Sequence, residues 1–373
     1  MIERIIKNKI SDRLFKGKTI ILIGARQVGK TTLIEEILDG RDFLFLDGDD
    51  PLVRRSLTNP NTKEIETIIG NFELVFIDEA QRIENIGLTA KIIHDRFRNV
   101  QLIMSGSSAF ELRNQTNEPL TGRKYEYFLY PISYEEYEKS RGYIDAARDL
   151  ENRLIYGFYP DVINHPGSER EILNEISQSY LFKDILSYAN IRKPEILEKI
   201  LQALAFQVGS EVSYNEIAQL TGVDKNTVSH YIHLLELSYI VYPLTSFSRN
   251  LRNEIKANRK IYFYDNGIRN ALIQNFNPLE LRNDVGALWE NFLISERLKR
   301  NHYHQKYSNK YFWRTKQQQE IDYVEESDGK IEGFEFKWNP TAKSNIPSLF
   351  VKTYDADVRV ISRENFREFV GMF

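Results

Sequence analysis

Apolar positions fall into two patterns in the first third of this 373-residue chain. At the amino end Ile2, Ile5, Ile6 and Ile10 recur at helical spacing, which predicts a packed entry helix. Beyond them come short runs with almost no polar interruption: residues 20–23 (IILI), 42–46 (DFLFL), 74–77 (LVFI) and 101–104 (QLIM). All four read as short strands, and the run at 74–77 as one buried on both faces of a parallel sheet. The stretches between them, 31–38 and 53 to about 70, carry helical patterns, with Gly40 just beyond the end of the first. Strands alternating with helices predict an α/β fold with a parallel, doubly wound sheet.

The pattern changes after about residue 130. Residues 132 to about 187 are helical and rich in aromatics, and Tyr130, Tyr134, Tyr137, Phe158, Tyr159, Tyr180, Phe182 and Tyr188 read as packing residues. At 213–220 a short helix is capped by Ser213, with Glu216 three residues later as in a capping box. Thr221-Gly222-Val223 is a tight turn. Asp224 caps a second helix over 225–237, with Val228, Ile232 and Leu235 inward. A strand at 239–244 makes this a helix-turn-helix with a wing. A strand at 261–264 and a helix at 267–273 complete it. From 284 the order is helix (285–298), strands (311–314, 320–324, 331–337), helix (346–354) and strand (358–361), with a hairpin at Ser327-Asp328-Gly329. That is the core order of restriction-endonuclease-like nucleases. The expected domains are 1–130, 131–195, 196–275 and 276–373.

Composition narrows the classes. Fifty Lys and Arg against fifty-three Asp and Glu give a net −3, so nucleic-acid binding has to rest on local patches. The absence of cysteine excludes disulfides, thiolate zinc sites and cysteine nucleophiles. No apolar run approaches membrane-spanning length and no signal-peptide core is visible, so a cytoplasmic protein without membrane contact is expected.

Chemistry concentrates first after residue 23. Gly24, Ala25, Arg26, Gln27, Val28, Gly29, Lys30, Thr31 and Thr32 carry G-x-x-x-x-G-K-[ST], a loop whose backbone N–H groups converge on phosphate. Lys30 supplies charge for the terminal phosphates of ATP, Thr31 a hydroxyl for Mg²⁺, and the following helix its positive dipole end. The 74–77 run ends in Asp78-Glu79, at the strand end where open α/β sheets bind ligands. Asp78 is expected to hold the Mg²⁺ water shell and Glu79 to act as general base on the attacking water. Ser105, Ser107 and Arg123 are candidates for sensing the γ-phosphate, with Ser105 and Ser107 left unresolved.

The runs GARQVGKTTL, LVFIDEAQ, LIMSGSS and PLTGRK, continued by YPISYEEY and GFYPDVI, resemble the AAA-type P-loop ATPases of bacteria and archaea that carry a C-terminal domain of unknown function. The resemblance implies that the Ser105 strand lies between the Lys30 and Asp78 strands and that Glu79 is catalytic. It implies no substrate.

A second set of acids lies in the last domain. Glu335 and Lys337 share a strand face, and Asp322 lies on the hairpin partner. Asp322…Glu335-Phe336-Lys337 resembles the D…E-x-K signature of that nuclease superfamily. Asp322 and Glu335 then bind Mg²⁺ or Mn²⁺, Lys337 positions the nucleophile, and Glu290 is a further candidate ligand. Lys225, Asn226, Thr227, Ser229 and His230 are the candidate DNA-reading residues of the second capped helix. The strip 246–260 adds Arg249, Arg252, Lys256, Arg259 and Lys260 against Glu254 as a phosphate-contacting surface. Together these predict an ATPase coupled to a DNA-binding and DNA-cleaving region, with self-association compatible. The alternatives are an ATP-controlled switch on an inert scaffold that binds DNA or protein, and a winged-helix transcription regulator.

Overall fold

The structure, a computed structural model, describes residues 2–107, 116–180, 194–248 and 259–372. The chain divides into two compact units, Met1–Pro131 with Leu237–Tyr239, and Ile132–Glu236 with Ile240–Phe373.

In the first unit, five strands among the described residues form one parallel sheet. They are β1 (Thr19–Ile23), β2 (Leu44–Asp47), β3 (Leu74–Asp78), β4 (Gln101–Gly106) and β5 (Lys124–Phe128), in the order β2-β3-β4-β1-β5. The apolar runs become β1, β3 and β4, buried along their whole length. β4 lies between β1 and β3, as the resemblance implied. The strand β5 departs from the expectation, which placed none there. Its run KYEYF is only half-buried until Phe128, because it closes one edge of the sheet. The helical stretch after β2 is two helices, Pro51–Leu57 and Thr62–Ile69. Pro60 lies in the break, and Asn61 starts the second helix with a full capping box to Glu64. Since every strand is parallel, all carboxyl ends line one rim, and the loops after β1, β3 and β4 meet there.

In the second unit Tyr134, Tyr137, Phe158 and Tyr159 are buried as expected, and Tyr134 meets Phe158, Phe292 and Phe366 edge-on or nearly so. The helices Tyr214–Thr221 and Lys225–Leu237 form as read, with Ser213 and Asp224 accepting N–H bonds from their first turns. Seven described strands make one sheet: β6 (Glu211–Val212), β7 (Val241–Ser246), β8 (Arg259–Phe263), β9 (Asn309–Arg314), β10 (Glu320–Ser327), β11 (Lys330–Phe336) and β12 (Asp357–Ile361). Their order is β12-β11-β10-β9-β7-β8-β6. The expectation separated the winged ribbon from the last α/β module at 275/276; here they share a sheet. The seam is the parallel pairing of β7 with β9, Thr245 opposite Tyr311 and Ser246 opposite Phe312. It continues in the Phe247 N–H bond to the Phe312 carbonyl, 2.7 Å. Phe247 is buried with Trp313, Ile321, Val324 and Phe350, so the apolar core crosses the boundary too. The β10–β11 hairpin turns at Asp328 and Gly329, both at positive φ (50° and 78°), as a tight primed turn requires.

Candidate functional site

At the carboxyl rim of the first sheet, the two motif glycines serve different ends. Gly29 lies at φ 90°, the left-handed region that lets the loop curl into the helix Lys30–Leu38. Gly24 instead packs against backbone: a Cβ there would lie 2.2 Å from the Leu129 carbonyl oxygen. No side chain caps the Lys30 helix, the arrangement of a helix end built for an anion. Lys30 is buried, and its Nζ donates to the Gly24 and Ala25 carbonyls at 3.0 and 2.9 Å. Those carbonyls hold the ammonium where phosphate oxygens are its natural partners. Arg26, Gln27 and Val28 complete the loop, with Gln27 also at positive φ (60°). Thr32 lies in the first turn of the helix.

β3 delivers Asp78 to the same place. The Thr31 hydroxyl donates to Asp78 Oδ2 at 2.6 Å, and the Ser105 hydroxyl donates to Asp78 Oδ1. A hydroxyl and a carboxylate converging beside the phosphate loop are oxygen donors of the kind Mg²⁺ takes, and Thr31 and Asp78 are the residues that would hold it. Glu79 stands just past the strand end in left-handed backbone, φ 45° and ψ 40°. For a non-glycine residue that conformation costs of order 1–3 kcal/mol, a strain that clusters at functional sites. Gly48 fits beneath it: a Cβ there would meet the Glu79 carbonyl oxygen at 2.4 Å.

Two residues of this rim escaped sequence reading. Gln81 is buried; its Nε2 donates to Glu79 Oε2 at 2.5 Å and to Ser107 Oγ at 3.0 Å. Ser105 therefore serves Asp78, while Ser107 is linked through Gln81 to Glu79. Arg4 is also buried, and its guanidinium donates to the Val28 carbonyl at 2.8 Å and the Tyr130 carbonyl at 2.5 Å, bracing the loop. The expected entry helix begins later, at Ile6–Ser11, and no motif marks Arg4 ahead of it. Arg123, expected as a γ-phosphate sensor, lies elsewhere. Its carbonyl pairs with the Thr19 N–H at the amino end of β1, and its side chain pairs with Asp95 at 3.0 Å. A five-residue strand separates it from the loop.

In the second unit the sheet gathers the other acids. Asp322 on β10 accepts the Phe336 N–H at 2.8 Å, beside Glu335 on β11. Lys337 Nζ lies 3.3 Å from Glu335 Oε2. Burial, the Asp322 charge and incomplete compensation by Lys337 push the Glu335 carboxyl up to about 7. Burial likewise raises Asp322, with Lys260 working against it.

Lys260 is the correction here. Expected on an exposed phosphate-contacting strip, it is a buried residue of β8. Its ammonium pairs with Glu290 at 3.0 Å and Glu320 at 2.5 Å. Burial opposes its charge, but Glu290, Glu320 and Asp322 outweigh burial and hold it protonated. Glu290 is thus committed to Lys260 and to the Tyr262 hydroxyl rather than standing as a further cation ligand. Its carboxyl is pushed up to about 7 by burial, against Lys260 and with Asp322. Asp322 and Glu335 remain as two neighbouring carboxylates on paired strands. Among the described residues no group of three or more His, Cys, Asp or Glu is arranged to hold a metal. Arg249, Arg252, Glu254 and Lys256 lie outside the described residues, as do Ser108, Phe182 and Tyr188. On the second capped helix Lys225, Asn226, Ser229 and His230 are exposed, while the Thr227 hydroxyl is spent on Asp224 at 2.6 Å.

Comparison with known proteins agrees with the first unit. Residues 16–138 match the family model of an AAA domain. The chain carries an AAA-type P-loop ATPase domain, with the parallel sheet of that fold. Residues 147–279 and 285–367 match two domains of unknown function (DUF8612 and DUF4143). An uncharacterized protein of Mycobacterium tuberculosis is 26% identical over 338 residues, 88% of this chain and 72% of that one. One of Haemophilus influenzae is 27% identical over 208 residues, 53% of this chain; the match spans about half of that relative, 52%. A Walker-type ATPase of Pyrococcus abyssi shares the fold, with TM-score 0.50 and 14% identity over 73% of this chain and 96% of the other. No helix among the described residues is long and apolar enough to cross a membrane.

Proposed function

We propose that the chain hydrolyses ATP in its first unit and that its second unit binds DNA. The observation that carries the reading is the meeting of Lys30, Thr31, Asp78 and Glu79 at one rim of a P-loop sheet. The β- and γ-phosphates replace the Gly24 and Ala25 carbonyls as partners of Lys30. Mg²⁺, on the Thr31 hydroxyl and the Asp78 water shell, neutralises phosphate charge when bound. Glu79 takes the proton of the attacking water. Lys30→Ala is expected to abolish ATP binding or weaken it severely. Glu79→Gln keeps binding and loses turnover, because the geometry survives and the base does not. Turnover of Glu79→Gln at the wild-type rate refutes the assignment of the base.

DNA binding rests on the exposed start of the helix Lys225–Leu237, which presents Lys225, Asn226, Ser229 and His230 as major-groove readers do. Lys225→Ala should lower duplex affinity in fluorescence anisotropy and reduce the slope of log K against log salt by roughly 0.9. An unchanged slope moves this helix to protein contacts.

A second reading, metal-dependent cleavage, is favoured by the proximity of Asp322 and Glu335 on one face of the hairpin. Asp322 and Glu335 would hold the cation, which would supply a water of lowered pKa when bound, and Lys337 would orient that nucleophile. Nicking of single-stranded, duplex or branched DNA that requires Mg²⁺ or Mn²⁺ and is lost in Asp322→Ala supports it. No nicking of any form with either metal leaves the inert scaffold.

A further inference from the structure

We propose that Gln81 is a second catalytic residue of the ATPase site, holding Glu79 with its amide nitrogen and the attacking water with its carbonyl. The inference deepens the hydrolytic reading above and rests on it.

The amide can face only one way. Glu79 Oε2, 2.5 Å from the amide, is a carboxylate oxygen and can only accept, so the atom facing it is the Nε2 donor. The second hydrogen of Nε2 goes to Ser107 Oγ, 3.0 Å away at the end of β4. Both donors are used. The carbonyl Oε1 is then left buried without a hydrogen-bond partner among the described residues, on a side chain 3% exposed. A buried amide acceptor left unmade costs about 1–3 kcal/mol, so such an orphan beside a general base needs a reason. A water supplies one: it donates one hydrogen to Oε1 and the other to Glu79. An oxygen acceptor excludes the γ-phosphate itself, whose oxygens are acceptors too. The backbone agrees, because Glu79 in left-handed conformation starts the turn Ala80–Arg82 that brings Gln81 back against its side chain.

In the reaction the water oxygen bonds to the γ-phosphorus. The bond from that phosphorus to the β–γ bridging oxygen breaks, and its electron pair leaves with ADP. One water proton passes to Glu79, while Gln81 neither gains nor loses one. It fixes the water and the base in one line, as glutamines that orient the nucleophile do in phosphoryl transfer.

The test is steady-state ATPase kinetics with nucleotide binding measured separately on the whole chain. Gln81→Met fills the same volume without hydrogen bonds, and Gln81→Glu keeps the shape but loses the donors. Both are expected to lower kcat at least tenfold with ATP affinity within about twofold of wild type, the size seen when one positioned polar group is lost. Thermal stability should stay near wild type. Because the two residues act as a unit, adding Gln81→Met to Glu79→Gln lowers kcat no further. A Gln81→Met enzyme with wild-type kcat, or one whose loss lies wholly in ATP affinity, overturns the proposal and leaves Glu79 as the base. Absence of Lys30-dependent turnover in the wild type overturns both.

Discussion

Lys260 offers the sharpest quantitative test of the second unit. Its ammonium is 1% exposed, paired with Glu290 at 3.0 Å and Glu320 at 2.5 Å, and stands over the Phe312 ring at 5.5 Å. Lys260→Met keeps the apolar stem against Phe312 and removes only the charge. Glu290 and Asp322, both half-buried, then lose their cation. Removing one partner of a buried ion pair costs about 3–5 kcal/mol, most of it from the charge left behind. For a unit of this size that lowers Tm by roughly 6–20 °C. Denaturant and thermal unfolding of the variant against wild type give the figure. Glu290→Gln in the same chain should recover part of the loss, with a coupling energy in the range of about 0.5–3 kcal/mol for contacting residues. Mn²⁺ should stabilise Lys260→Met more than wild type, since the acids exchange a built-in ammonium for a divalent cation. A loss under about 1 kcal/mol, or strict additivity with Glu290→Gln, refutes the view that Lys260 neutralises this cluster.

Two further outcomes follow from close contacts. Gly48→Ala places a Cβ 2.4 Å from the Glu79 carbonyl oxygen and 2.9 Å from that of Asp78. It should lower ATPase kcat at least tenfold for a stability loss of only about 1–3 kcal/mol; wild-type kcat would show that the strand end yields. Glu325, buried, takes a bidentate pair from Arg297 at 2.9 and 2.5 Å; burial raises its carboxyl, but Arg297, the Tyr323 hydroxyl and Asn301 together lower it further, so the folded value lies below the ordinary one. Its contribution is therefore full above pH 4.5 and is lost as pH falls through the lower folded value. Glu325→Gln should destabilise by about 3–5 kcal/mol at neutral pH and flatten that acid limb, and equal acid limbs would contradict the pairing.

What the sequence made legible was local. The phosphate loop is nine consecutive residues, and each constraint on it acts within that run. Ser213 and Asp224 announced their helices because a cap bonds two or three residues ahead. Contacts over long separations were silent. Lys260 looked like one more charge in a basic strip because charge counting sees neighbours in the chain, while its partners Glu290 and Glu320 lie 30 and 60 residues on. Arg123 followed the same logic in reverse: it is close in sequence to a strand near the site, yet it belongs to that strand's far end. Gln81 stood in plain view in DEAQ, and only the fold of the Glu79 turn shows that it faces the acid it follows. β5 was missed because an edge strand with alternating charge has neither the apolar run of a central strand nor a turn signal of its own.

The shared sheet changes what a domain means in the second half of the chain, and the last prediction tests it. The expected boundary at 275/276 would release residues 276–373 as a module of their own. That fragment keeps β9 to β12 but loses β7, so β9 becomes an edge where Thr245 and Ser246 had paired. It loses Phe247 from the core around Trp313 and Phe350. It also loses Lys260, leaving Glu290, Glu320 and Asp322 without the ammonium that faces all three. An exposed edge, a missing core aromatic and an uncompensated acidic cluster act in one direction, and together they exceed the stability of an ordinary small domain, about 5–15 kcal/mol. The fragment 276–373 should give no cooperative unfolding transition, whereas 132–373 should unfold cooperatively. Glu290, Glu320 and Asp322 take their compensating charge from Lys260 on β8, so a ligand that shifts β8 shifts that charge with it. A cooperative transition in the short fragment would return the boundary to 275/276 and make the β7–β9 seam a contact between independent domains.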